Sequence, residues 1–163
     1  MVETRLLRLA DVADNLAIAD GEDLQLIEFT VSIWDRERWP NFSFDEIVCR
    51  ETGRLLIRPA SMDRLQALRN EAGAINLSSA YRSPIHSAEK VKARPGSHTH
   101  GQAFDIKCWG EHATNIVAGA LIAGFTGIGI SQKHANISKR FVHIDDIEDG
   151  QGFHAPRPFL WSY

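Results

Sequence analysis

Residues 95–106, PGSHTHGQAFDI, place two histidines, two glycines and an aspartate in twelve positions. Three arrangements compete for them. They form a polar loop with incidental histidines, a His98-Thr99-His100 metal motif, or a split site with His98 before a turn and Asp105 after it. On a helix, the seven residues from His98 to Asp105 would span about 10 Å along the axis, too far to share one ion. A turn at Gly101 followed by a strand instead folds Asp105 back beside His98. The next residues support the strand. In QAFDIKC, Phe104, Ile106 and Cys108 alternate with Ala103, Asp105 and Lys107, as a strand with one apolar face requires.

The segments on either side supply the fold class. Upstream, residues 3–19 and 22–37 read as two helices. In the second, Leu24, Ile27, Val31 and Trp34 fall at helical spacing, with Glu22 and Asp23 in its first turn. Pro40, Gly53 and Pro59 break the periodicity into loop, short helix and turn. SMDRLQALRNEAG (61–73) is a helix with Ser61 as N-cap and Gly73 as its stop. AINLSSAYRS (74–83) alternates, with Ile75, Leu77, Ser79 and Tyr81 on one side. EHATNIVAGALIAGF (111–125) is a helix with a small-residue face, and GIGIS (127–131) and RFVHIDD (140–146) are strands. In the last, Phe141, His143 and Asp145 share one face. The expected fold is α+β, a small and mainly antiparallel sheet flanked by helices, with an N-terminal helical extension over 1–38 and the main domain over 39–163.

Composition removes several function classes. A net charge of −3 and no concentrated basic patch argue against nucleic acid as a partner. No apolar run reaches the length that spans a bilayer, so membrane insertion is not expected. The opening residues carry no secretory pattern, which predicts synthesis in the cytoplasm without a signal peptide. Two cysteines, Cys49 and Cys108, are too few for a disulfide framework. Cys108 continues the apolar side of its strand and reads as a buried thiol.

His98, Asp105 and His143 together offer two imidazoles and a carboxylate, leaving a fourth position to water. That is the ligand arithmetic of a catalytic zinc site. GSHTHGQAFDI resembles the S-x-H-x-x-G-x-A-x-D signature of the D-alanyl-D-alanine carboxypeptidase-like zinc peptidases, which share a fold with lysostaphin-type peptidases and the hedgehog signalling domain. SSAYRSPIH is similar to the family's S-x-Y-R-[ST] strand end, GFTGIGI to its G-F-x-G-I-G segment, and RFVHIDD to its F-[VI]-H-[ILV]-D strand. The closing RPFLWSY is typical of many members. The resemblance runs over roughly 39–163, with the pieces in order.

It implies that His98, Asp105 and His143 bind Zn2+, that His100 does not, and that Arg82, with Ser79 and Tyr81, contacts substrate. It also implies hydrolysis of a peptide bond in bacterial cell-wall peptides, in the stem or the cross-bridge, by a carboxypeptidase or an endopeptidase. The chain departs from the pattern at Gly96, where the signature has Ser, and at Ser87, where Asn is frequent. It departs again at Arg140, where many relatives carry the general base. Asp145 is the nearest substitute by sequence, as the base or as a partner that orients His143. His134 is a further candidate. The Arg at position 140 also leaves open a non-catalytic zinc domain that binds a peptide or a partner. An amidohydrolase reading of His98-Thr99-His100 fails on size, since such a barrel needs about 250 residues. A wall hydrolase without a signal peptide is expected to reach its substrate by cell lysis, or inside a phage-like particle.

Overall fold

The alternation read in QAFDIKC builds the middle of a five-stranded sheet. The computed structural model describes residues 6–7, 26–153 and 156–163. In chain order the strands are β1 (Leu6–Leu7), β2 (Leu26–Glu28), β3 (Leu56–Ile57), β4 (Leu77–Ser79), β5 (Ala103–Lys107), β6 (Gly127–Ser131), β7 (Phe141–Asp145) and β8 (Phe159–Ser162). The helices are α1 (Phe44–Ile47), α2 (Pro59–Ala72) and α3 (Gly110–Ile122). Strands β1, β2 and β3 form a small antiparallel sheet, and the larger sheet runs β4-β5-β7-β6-β8. All its pairs are antiparallel except β6 with β8. The fold is α+β, as the change of period along the chain predicts.

One face of the large sheet is core. Phe104 and Ile106 of β5, Val142 and Ile144 of β7 and Ile128 of β6 are almost wholly buried. They belong to one cluster with Met62, Leu65 and Leu68 of α2 and Ala113, Ile116 and Ala120 of α3. Burying each large side chain contributes about 1.5–3 kcal/mol. The small-residue face of α3 has a specific use. A Cβ at Gly119 would stand 2.6 Å from the Leu68 side chain, so the glycine lets α2 and α3 close together.

Strand period 2 puts the other residues on the opposite face. The registers line them up in rows across the sheet. One row is Ser79, Asp105, His143, Gly129 and Trp161; the next is Ala103, Asp145, Gly127 and Phe159. The polar groups of the motif thus share one face, over a floor of apolar core.

Several local expectations change. Of the helix read over 22–37, residues 22–25 lie outside the described residues, and 26–37 instead contain strand β2 and a single 3-10 turn at Val31–Ile33. Pairing of Ile27 with Ile57 overrides the helical spacing, and Leu26, Phe29 and Trp34 enter the common core. The helix read over 3–19 lies outside the described residues except at Leu6–Leu7, which pair as a strand with β2. α2 begins at Pro59 with Arg58 as N-cap. Ser61 is therefore inside the helix, where its hydroxyl donates to buried Asp146 at 2.7 Å. Gly73 does end that helix, with φ of 83°. The 74–83 strand shortens to Leu77–Ser79, with a register irregularity between those residues.

Candidate metal centre

Gly101 makes the turn that the motif requires. It adopts φ of 63°, a left-handed conformation that costs glycine nothing. A Cβ there would lie 2.6 Å from the Leu56 carbonyl oxygen and 2.8 Å from the Ile57 Cα. The turn is also tied down, since the Arg58 N–H donates to the Gly101 carbonyl at 3.1 Å. Before it, Ser97–His100 form a 3-10 turn; after it, β5 carries Asp105 back beside His98.

His98, Asp105 and His143 are all buried, and one ligand atom from each lies within 4.8 Å of the others. His98 Nε2 is 3.3 Å from Asp105 Oδ2, and His143 Nδ1 is 2.8 Å from Asp105 Oδ1. Two ligands on a tetrahedral ion with bonds near 2.1 Å stand about 3.4 Å apart, so the spacing fits zinc. The far side of each ring sets its tautomer. His98 Nδ1 donates to the Ala80 carbonyl at 2.6 Å, and His143 Nε2 donates to Asp145 Oδ2 at 3.0 Å. With both rings neutral, His98 Nε2 and His143 Nδ1 would therefore direct lone pairs at the Asp105 carboxylate. Such a convergence of electron pairs needs a cation at its centre, a metal ion or a proton.

The electrostatics agree. Burial works to raise the Asp105 pKa, but His98 and His143 outweigh it and hold the carboxyl far below the usual range. Burial disfavours charge on His143, yet hydrogen bonds to Asp105 and Asp145 push its pKa up to about 9. Both groups lie in a cavity of about 360 Å³. Its cationic side holds Arg82 and Lys92. Arg82 donates to Ser79 Oγ at 2.9 Å, Asp105 Oδ2 at 3.3 Å and Glu89 Oε1 at 3.4 Å. Arg157 and the aromatic side chains Phe141, Phe153, Phe159, Trp161 and Tyr163 also line the cavity.

A model of the family described as peptidase M15 matches residues 40–145, a span that contains all three clustered groups and their strands. The chain belongs to the peptidase M15 family. M15 peptidases are D-Ala-D-Ala carboxypeptidase-like zinc enzymes acting on peptidoglycan-related peptides, and the buried His-Asp-His group of this member is able to hold such an ion. No curated protein matches the chain. No helix among the described residues is long and apolar enough to cross a membrane.

Other candidates fall in different places. His100 is buried but is not part of the His98–Asp105–His143 group; its Nδ1 donates to the Gly96 carbonyl at 3.0 Å, and its ring packs on Phe153. Ser79 reaches the M15 site through Arg82. Tyr81 is buried in the core beneath a separate hollow, where burial raises its phenol pKa. His134 is exposed in a loop and Arg140 bonds its carbonyl, so neither lines the cavity. Asp145 lies behind His143 and is 2% exposed. Its Oδ1 accepts from Arg157 at 3.1 Å and from the Ile147 N–H at 3.2 Å.

Three contributors were not singled out as site residues by sequence, although two of them, Arg157 and Trp161, lie in the closing RPFLWSY segment. Glu89 sits in an irregular loop, where a charged residue reads as solvated. Its side chain is 1% exposed and bonds Arg82, Lys92 and the Gly96 N–H. Arg157 and Trp161 come from β8 and its approach, beyond the matched span.

Proposed function

We propose that this chain is a zinc peptidase that hydrolyses a peptide bond in bacterial cell-wall peptides, as a carboxypeptidase or an endopeptidase. The observation that carries this reading is the tautomer-set cluster. His98 Nε2, Asp105 and His143 Nδ1 converge in an open cavity, and the other nitrogen of each ring is committed elsewhere. Zinc held there would supply Lewis acidity, polarising a carbonyl and lowering the pKa of water.

The remaining residues have definable work. Arg82 faces the cavity beside the ligands, and its guanidinium suits a substrate carboxylate or a developing oxyanion. Ser79 and Glu89 hold it there. The aromatic side chains offer apolar contact. Asp145 orients His143 instead of taking up a proton from substrate water, because both its oxygens are already engaged and it is shut from solvent. Reaching the wall by cell lysis or in a phage-like particle accords with the substrate proposed.

One observation favours a second reading, a zinc domain that binds wall peptide without cutting it. Among the described residues lining the cavity, the only carboxylates are Asp105, a ligand, and Asp145, which is locked. Mass spectrometry of muropeptides after incubation, with and without chelator, separates the readings. New termini that vanish on chelation and in His143→Ala identify the peptidase and its scissile bond. Intact muropeptides that are nonetheless retained by the zinc-loaded chain identify the binding domain. Zinc-free wild-type protein in zinc-containing buffer rejects both.

A further inference from the structure

The two glycines of β6 face the site, and the space they leave is filled from the C-terminal side. Gly127 pairs with Asp145 on one edge and with Phe159 on the other. A Cβ at Gly127 would overlap both the Arg157 guanidinium and the Asp145 carboxylate. Gly129 repeats the device one row along, where a Cβ would stand 2.6 Å from Trp161 Cε2. The Trp161 ring centre lies 5.3 Å from that of His143. Strand β6 thus works as a trench through which side chains from the C-terminal segment reach the metal ligands.

From this we infer that Arg157 is a positioning residue for the metal centre, acting on His143 through Asp145. This rests on the zinc site proposed above. Arg157 Nη1 lies 3.1 Å from Asp145 Oδ1, and the two side chains are 6% and 2% exposed. The other oxygen, Oδ2, receives His143 Nε2–H at 3.0 Å. Pinning one oxygen fixes the carboxylate plane, and so fixes where the other meets the imidazole. The ring then presents Nδ1 to Asp105 in a single orientation. Arg157 is too enclosed to serve as a general anion site, and its backbone N–H is itself anchored to Asp149 Oδ1 at 3.0 Å. Residue 157 stands outside the span 40–145 that the family model matches, so the segment leading into β8 contributes to a site whose ligands lie elsewhere.

The test is a double-mutant cycle on the full chain, read as zinc affinity against a competing chromophoric chelator. Arg157→Gln should weaken zinc roughly tenfold, the lower end for loss of a partner behind a ligand. In the Asp145→Asn background the same change should have almost no effect, because the route to His143 is already cut. Arg157→Lys, which keeps a cation in the trench, should recover most of the affinity. If Arg157→Gln does not fold, Arg157→Lys carries the cycle, and its smaller loss must again vanish beside Asp145→Asn. Equal losses in both backgrounds, or no loss in either, overturn this inference while leaving the zinc site intact. A wild-type chain that binds no zinc overturns the proposed function, and the role of Arg157 with it.

Discussion

Asp145 shows how far a single side chain's role depends on which way its oxygens point. As an orienting partner, its replacement by Asn should lower zinc affinity by roughly ten- to a hundredfold, with the rate recovering in excess zinc. A general base would behave differently, losing a factor of about a hundred to ten thousand at zinc saturation. Measuring turnover at two zinc concentrations separates these outcomes, and the contacts of both Asp145 oxygens favour recovery. Glu89 makes a second prediction. Burial works to raise its pKa, but Lys92, the Gly96 N–H and Arg82 prevail, so the folded value lies below the ordinary one. A depressed folded pKa contributes stability that is fully present above the unfolded value, near 4.5, and is lost as pH falls below it through the lower folded pKa. Glu89→Gln should therefore be less stable than wild type at pH 7, by roughly 1–3 kcal/mol. The gap should narrow by pH 3.5, as thermal melts at the two pH values will show.

At the scale of elements, the passage from the 3-10 turn through Gly101 into β5 is the most exacting part of the structure. A left-handed backbone costs a residue with a Cβ about 1–2 kcal/mol, and the overlap with β3 adds a packing cost of about 1–3 kcal/mol. Gly101→Ala should lose about 2–5 kcal/mol in urea unfolding, and bound zinc should fall with it because His98 leads directly into the turn. A Gly101→Ala protein of wild-type stability would mean that the turn is held some other way. The β6 glycines show the complementary principle, a strand that serves the site by presenting no side chain to it.

Across the whole molecule, the proposed ligands come from the loop before β5, from β5 and from β7, so the site exists only in the folded chain. Metal binding is then coupled to folding. Zinc at about a hundred times its dissociation constant should add about 2.7 kcal/mol to stability. Chelation should lower the melting temperature of wild type and leave that of His143→Ala unchanged, which differential scanning fluorimetry can follow. An equal response from both proteins would detach the metal from these ligands.

The sequence alone determined the fold class and the central strands, and its resemblance to the family pointed to His98, Asp105 and His143, which the fold brings together. Alternation in QAFDIKC and RFVHIDD is a local property that sets which side chains share a face, and a turn at Gly101 is what brings Asp105 back beside His98. The partners of those residues were decided by tertiary structure. Ile27 became part of a strand because β3 lay beside it, against its helical spacing. Tyr81 turned into the core although its alternation placed it with Ser79. Arg157 reached Asp145 across a strand of glycines, twelve residues downstream, where no period or spacing connects them. Periodicity reports the face a residue shows; only the packed chain determines what that face meets.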